Sequence, residues 1–213
     1  FVATNTFGDA LRMTGGSANL TLTTSTLIGG TLGSGLYMDP GITGLITVTT
    51  NTIHGGRYGV RIDAQSASVN LSSNTILPGL STDYDTFGVH LNAATNVSLY
   101  NNAVVYRRPD SMGGFRSYGI YALSAEFTAS HNRINQPGMI TGGSYTGLHL
   151  ENVSDSQIVY NDINSTGTLD GSFGLHLISG GDGLTLTHNV IQSSVTVTNS
   201  SATIVIDTIG TAF

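Results

Sequence analysis

Asp39 and Asp63 are the residues whose placement first suggests chemistry. Each lies four positions past a glycine, in the segments Gly35-Leu36-Tyr37-Met38-Asp39 and Gly59-Val60-Arg61-Ile62-Asp63. If the two segments lie side by side, their carboxylates stand about 5 Å apart, the spacing of acid and nucleophile in a retaining glycosidase. Tyr37, Arg61, His90 and Tyr121 are then placed to hold a sugar, and Arg12 and Arg61 to balance the acids. A plainer reading competes. Asp39 precedes Pro40-Gly41 as a turn residue, and Asp63 pairs with Arg61.

Three further groups could carry function. His149, His176 and Glu151 offer two imidazoles and a carboxylate, a weak candidate for zinc or a related ion. Arg107, Arg108 and Arg116 crowd one connection and could bind an anion or a uronate, or could clamp Asp83 and Asp85 nearby. Tyr58, Phe87, Tyr118 and Phe173 form an aromatic column that either stacks on sugars or covers an apolar edge.

What positions all of these is a repeat. A tetrad of Gly, aliphatic, variable, aliphatic recurs at 35, 59, 88, 119, 147 and 174, with weaker copies at 10 and 203. Successive starts differ by 25, 24, 29, 31, 28, 27 and 29 residues. Behind each tetrad comes an alternating apolar pair followed by Asn, one residue and another aliphatic, as in Ile46-Thr47-Val48 before Asn51 and Ile53. Gly-to-Asn offsets stay within 13 to 16 residues, whereas Asn-to-Gly offsets run from 8 to 17. Length variation therefore sits in one connection per unit, as in a solenoid.

Alternation of period two in short segments predicts strands, and fixed Gly and Asn predict turns. We expect about eight coils, with Leu, Ile and Val stacked inside and an Asn ladder along one turn. The glycine is expected to supply a tight turn. The middle residue of the tetrad should point outward, giving the column Arg12, Tyr37, Arg61, His90, Tyr121, His149 and His176. The residue before each Asn (Thr24, Thr50, Ser73, Asn101, His131, Tyr160, His188) reads as surface variation.

These units, for instance Gly147-Leu148-His149-Leu150 leading to Asn161 and Ile163, resemble repeats of right-handed parallel β-helix proteins of the pectate-lyase-like superfamily. The resemblance covers nearly the whole chain. It implies an all-β, right-handed parallel β-helix in a single domain over 1–213, a segment of a longer chain or the whole. It also implies that any active site lies on the tetrad face. No Asn-Thr-Asp, Gly-His-Gly or Arg-Ile-Lys signature of the pectin enzymes is present, so the resemblance favours surface or autotransporter-type segments.

Composition narrows the function classes. The chain has 213 residues, 9% of them charged, and a net charge of −6. This excludes a general nucleic-acid binder. Cysteine and lysine are absent, which excludes thiol and Schiff-base chemistry. Residues 13–38 carry no charge, but Thr, Ser, Gly and Asn interrupt them too often for a membrane span. No cofactor is expected. The reading that follows is a secreted or cell-surface structural or adhesive β-helix, non-enzymatic, contacting partners through side loops and able to associate end to end. The alternative is a protein that binds or degrades an extracellular polysaccharide on the tetrad face.

Overall fold

The segment Leu45-Ile46-Thr47-Val48-Thr49 shows how a coil is made. Side chains alternate across a strand, and here Ile46 and Val48 are fully buried while Leu45 is exposed. The same pattern repeats in each unit. The result, in a computed structural model, is a parallel β-helix with no α-helix among its described residues. Residues 1–17, 19–63, 66–79, 84–105, 115–135, 144–167, 172–195 and 202–207 are described.

Three sheets form the sides. The tetrad sheet stacks eight strands, from Leu11–Met13 through Tyr58–Asp63 to Ala202–Asp207. The second sheet stacks seven, from Leu20–Thr23 to Thr185–Thr187, and the third stacks eight, from Val2–Thr4 to Val190–Val195. All pairings are parallel and in register, so Leu36, Val60, Val89, Ile120, Leu148 and Leu175 stand over one another. Complete turns number about six, fewer than the eight copies counted from the tetrads. The last copy contributes only Ala202–Asp207 among the described residues.

The core is a set of aliphatic stacks along the axis. Leu22, Val48, Leu71, Leu99 and Ile158 fill one column, and Leu27, Ile53, Ile76, Val104, Ile134 and Ile163 another, all at 4% exposure or less. Burying one such side chain is worth about 1.5–3 kcal/mol.

The corner between the second and third sheets is the most regular feature. The Asn51, Asn74, Asn102, Asn132, Asn161 and Asn189 amides form the expected ladder. Each Nδ2 from Asn51 to Asn161 donates to the Oδ1 of the next at 2.9–3.0 Å. The same oxygens accept the backbone N–H of the preceding Asn, for example Asn74 N to Asn102 Oδ1 at 3.0 Å. Each Nδ2 from Asn51 to Asn189 also donates to a carbonyl one coil back, such as Asn102 to Leu71 at 2.8 Å.

Two expectations need correction. The residues before the ladder are not mere variation: Thr24, Thr50, Ser73, Asn101, His131, Tyr160 and His188 all adopt φ between 46° and 58°. Non-glycine residues rarely occupy this region, and the ladder on either side holds them there. The tetrad glycines, conversely, do not supply a special turn, since none has positive φ. They allow close approach instead. A Cβ on Gly59 would lie 2.5 Å from Ile76 Cγ2 and 2.6 Å from the Gly88 carbonyl oxygen.

Removing one rung of the ladder leaves the Asn74 N–H and the Leu71 carbonyl buried without partners. Asn102→Ala is expected to cost about 3 kcal/mol in denaturant unfolding. Gly88→Ala should cost at least as much, because a Cβ there meets the Gly119 carbonyl and Val104. Gly15→Ala, with open space around it, should change stability by less than about 0.5 kcal/mol.

Candidate functional site

Strand alternation and in-register stacking place the tetrad's middle residues in one outward column, as expected. Arg12, Tyr37, Arg61, His90, Tyr121, His149 and His176 are successive neighbours one coil apart. Two residues further on, Asp63 faces Asn92, Asn92 faces Leu123, and Leu123 faces Glu151. The strip thus divides into a charged N-terminal stretch and an aromatic C-terminal stretch.

In the charged stretch each carboxylate takes its own arginine. Arg12 donates from Nε and Nη2 to both oxygens of Asp39 at 3.0 Å, an exposed two-bond pair. Asp63, 4% exposed, receives Arg61 Nη2 at 2.6 Å and the Tyr37 hydroxyl at 2.9 Å. Asn92 Nδ2 approaches its other oxygen at 3.4 Å. The Tyr37 ring lies under two guanidinium groups, Arg12 at 5.0 Å and Arg61 at 4.7 Å, a cation–π arrangement. The bond from Arg12 holds the Asp39 carboxyl below its ordinary range. Burial, then the bond to Asp63, pushes the Tyr37 hydroxyl up.

Along the aromatic stretch, a pair of ring ladders meets edge to face. Tyr58, Phe87 and Tyr118 stack at 5.0 and 5.2 Å with planes 10° and 8° apart. They are 5–8% exposed, so the column covers an apolar corner and offers no open ring face. Beside it, His90 stacks on Tyr121 at 5.3 Å and Tyr121 on His149 at 4.6 Å. His149 meets His176 nearly perpendicular, at 5.0 Å and 82°. The two ladders touch at Phe87–His90 and Tyr118–Tyr121, with planes 71° and 80° apart.

Glu151 closes this end. It accepts the Tyr121 hydroxyl at 2.8 Å and stands 3.7 Å from His149 Nε2. Burial pushes His90 and His149 down to about 4, with neighbouring His176 adding to the shift at His149. Both rings are therefore neutral at pH 7. The His149, His176 and Glu151 ion site gains no support: no three His, Asp or Glu side chains gather around one point among the described residues.

Arg107, Arg108, Asp110 and Asp83 lie outside the described residues. Of that loop pair, Asp85 is seen accepting the Arg116 backbone N–H at 2.7 Å. Arg57, which the sequence did not single out, covers Tyr58 at 5.1 Å and Tyr84 at 5.5 Å.

A second ring column went unrecognised in the sequence. Tyr100 meets His131 at 5.5 Å, His131 stacks on Tyr160 at 5.3 Å, and Tyr160 on His188 at 4.7 Å. His131, Tyr160 and His188 stand at the left-handed corner and Tyr100 on the strand just before it, and all four residues are exposed. Their constant place beside the Asn column was the available signal.

Residues 13–208 match the model of a family described as periplasmic copper-binding protein (NosD). No curated protein and no solved structure matches the chain.

The buried imidazoles make stability depend on pH. His90 and His149 titrate near 4 when folded and near 6.5 when unfolded. Between those values the unfolded chain binds more protons. Their stabilisation is thus complete above pH 6.5 and is lost as pH falls towards 4. The melting temperature of the parent should drop across that interval, and His90→Phe, which keeps a stacked ring, should flatten the drop. Identical pH slopes in the two proteins would contradict the assignment.

Proposed function

The chain belongs to the NosD family, described as periplasmic copper-binding protein, and from that premise we propose that it is an extracellular or cell-envelope β-helix that works by stiffness and contact rather than by catalysis. Fold alone does not assign activity. One observation carries the reading: the ionic groups of the tetrad strip consume one another. Arg12 holds Asp39, Arg61 and Tyr37 hold Asp63, and Tyr121 and His149 flank Glu151.

Glycoside cleavage by two carboxylates needs one of them kept protonated as the acid. Asp39 is shifted the other way, by Arg12. Asp63 in turn spends its oxygens on Arg61, Tyr37 and Asn92, so polysaccharide cleavage at Asp39 and Asp63 is the less favoured reading. On the preferred one, the bonds from Arg12 to Asp39, Tyr37 to Asp63 and Tyr121 to Glu151 brace neighbouring coils, and the rod presents its sides to an extracellular partner. An adhesive role and end-to-end assembly into filaments fit the same reading.

The family description names copper. The chain has no cysteine, and the described residues bring no three His, Asp or Glu donors together. Those residues do not fit a copper site, and the proposed role does not pass through the metal.

The test is incubation with neutral and acidic polysaccharides, following reducing ends and unsaturated uronate products. No turnover is expected from the parent protein. Turnover that disappears in Asp39→Asn or Asp63→Asn, with the fold intact, would overturn the reading and place an active site on the tetrad strip.

A further inference from the structure

The second sheet presents a face unlike the tetrad strip. Two outward columns run in register through seven coils, one from Thr21 to Thr185 and one from Thr23 to Thr187. Every residue in them is exposed or half-buried. Ten of the fourteen are Thr or Ser, the others being Asn70, Gln157, Tyr100 and Val159. None carries a charge. Hydroxyl groups therefore recur at about 4.8 Å along the rod and about 6.6 Å across it.

The left-handed corner extends this face. Its first four coils show Thr24, Thr50, Ser73 and Asn101, and its last three show His131, Tyr160 and His188. The last three coils thus replace the small hydroxyls and the amide of the first four with large, exposed rings. The rings stack on each other, so Tyr160, 53% exposed, offers its edge and hydroxyl rather than a free face.

Shape and charge select the occupant. The face is a strip about 34 Å long and about 10 Å wide, far smaller than the roughly 800 Å² per partner of a stable protein interface. An acidic polymer would find no cation there and a like-charged protein around it. A neutral, hydroxyl-rich linear chain fits the length, the narrow width, the absence of charge and the repeating hydroxyls.

We propose that this face docks a neutral polysaccharide laid along the rod axis. The proposal rests on the reading of the chain as a contact-making β-helix, and it names the partner and the side used. Each coil contributes weakly, and many coils on one polymer add up through multivalency.

The test is retention of the full chain in native affinity gels containing mixed-linkage β-glucan or galactomannan, with polygalacturonate as the acidic control. Retention is expected on a neutral polymer and not on polygalacturonate. Two variants leave the core untouched: Thr47→Glu with Thr128→Glu, and His131→Asn with Tyr160→Asn and His188→Asn, since Asn tolerates the corner. Each should weaken retention at least about ten-fold, with unchanged circular dichroism, while Asp39→Asn binds as the parent does. No retention on neutral polymer, or equal retention in the variants, would overturn the proposal. So would a parent dimer in sedimentation that the glutamates abolish, which would assign the face to a second copy. None of these outcomes produces cleaved polymer, the result that would sink the non-catalytic reading itself.

Discussion

The structure depends on one hydrogen-bond array, the asparagine ladder. Each amide in its interior satisfies a backbone N–H, a backbone carbonyl and the next amide along the axis. These groups are buried, so leaving any of them unpaired is costly. A slip of one residue between two coils would break the rung that joins them. The ladder thus sets register at one corner, and parallel pairing carries that register around the other sides.

Fixed register has a consequence for charge. Residues at the same tetrad position face each other across coils, so any acid in the column acquires an aligned neighbour. Like charges in that arrangement destabilise a sheet. In this chain Asp63 aligns with Asn92, and Glu151 with Leu123 and Ile178. Tyr37 between Arg12 and Arg61, with its hydroxyl on Asp63, ties three coils by stacking and hydrogen bonding together. Further along, rings replace ions, and burial there keeps the His90 and His149 imidazoles neutral. A strip that from composition looks like a polar surface is instead a continuous brace.

The two outer sides divide the work. The tetrad side pairs its carboxylates internally, leaves Arg61 Nε, His90 Nδ1 and His149 Nδ1 buried without hydrogen-bond partners, and is half closed by its aromatic corner. The hydroxyl side carries few interactions between its own outward groups, Ser72 to Thr49 at 3.0 Å being one. On the proposed reading, the braced side stiffens the rod and the hydroxyl side is left for contact, with no change in the coil plan.

The coil plan is legible in the bare chain. Glycine, alternating aliphatics and asparagine recur at fixed offsets, and each acts locally, through period, turn chemistry and side-chain size. The architecture, the core stacks and the Asn ladder were readable for that reason, and so was the outward column from Arg12 to His176. Which partner each group in that column takes is a matter of packing between coils. The Asp63–Arg61 pair, two residues apart on one strand, was readable, whereas the bonds from Arg12 to Asp39 and from Tyr37 to Asp63 are set by rotamers and distances across coils. The same packing makes the tetrad glycines serve close approach and seats His131, Tyr160 and His188 at a left-handed corner. Those facts arise from what lies one coil away, and a contact such as Tyr121 to Glu151, 30 residues apart, leaves no mark on the local pattern.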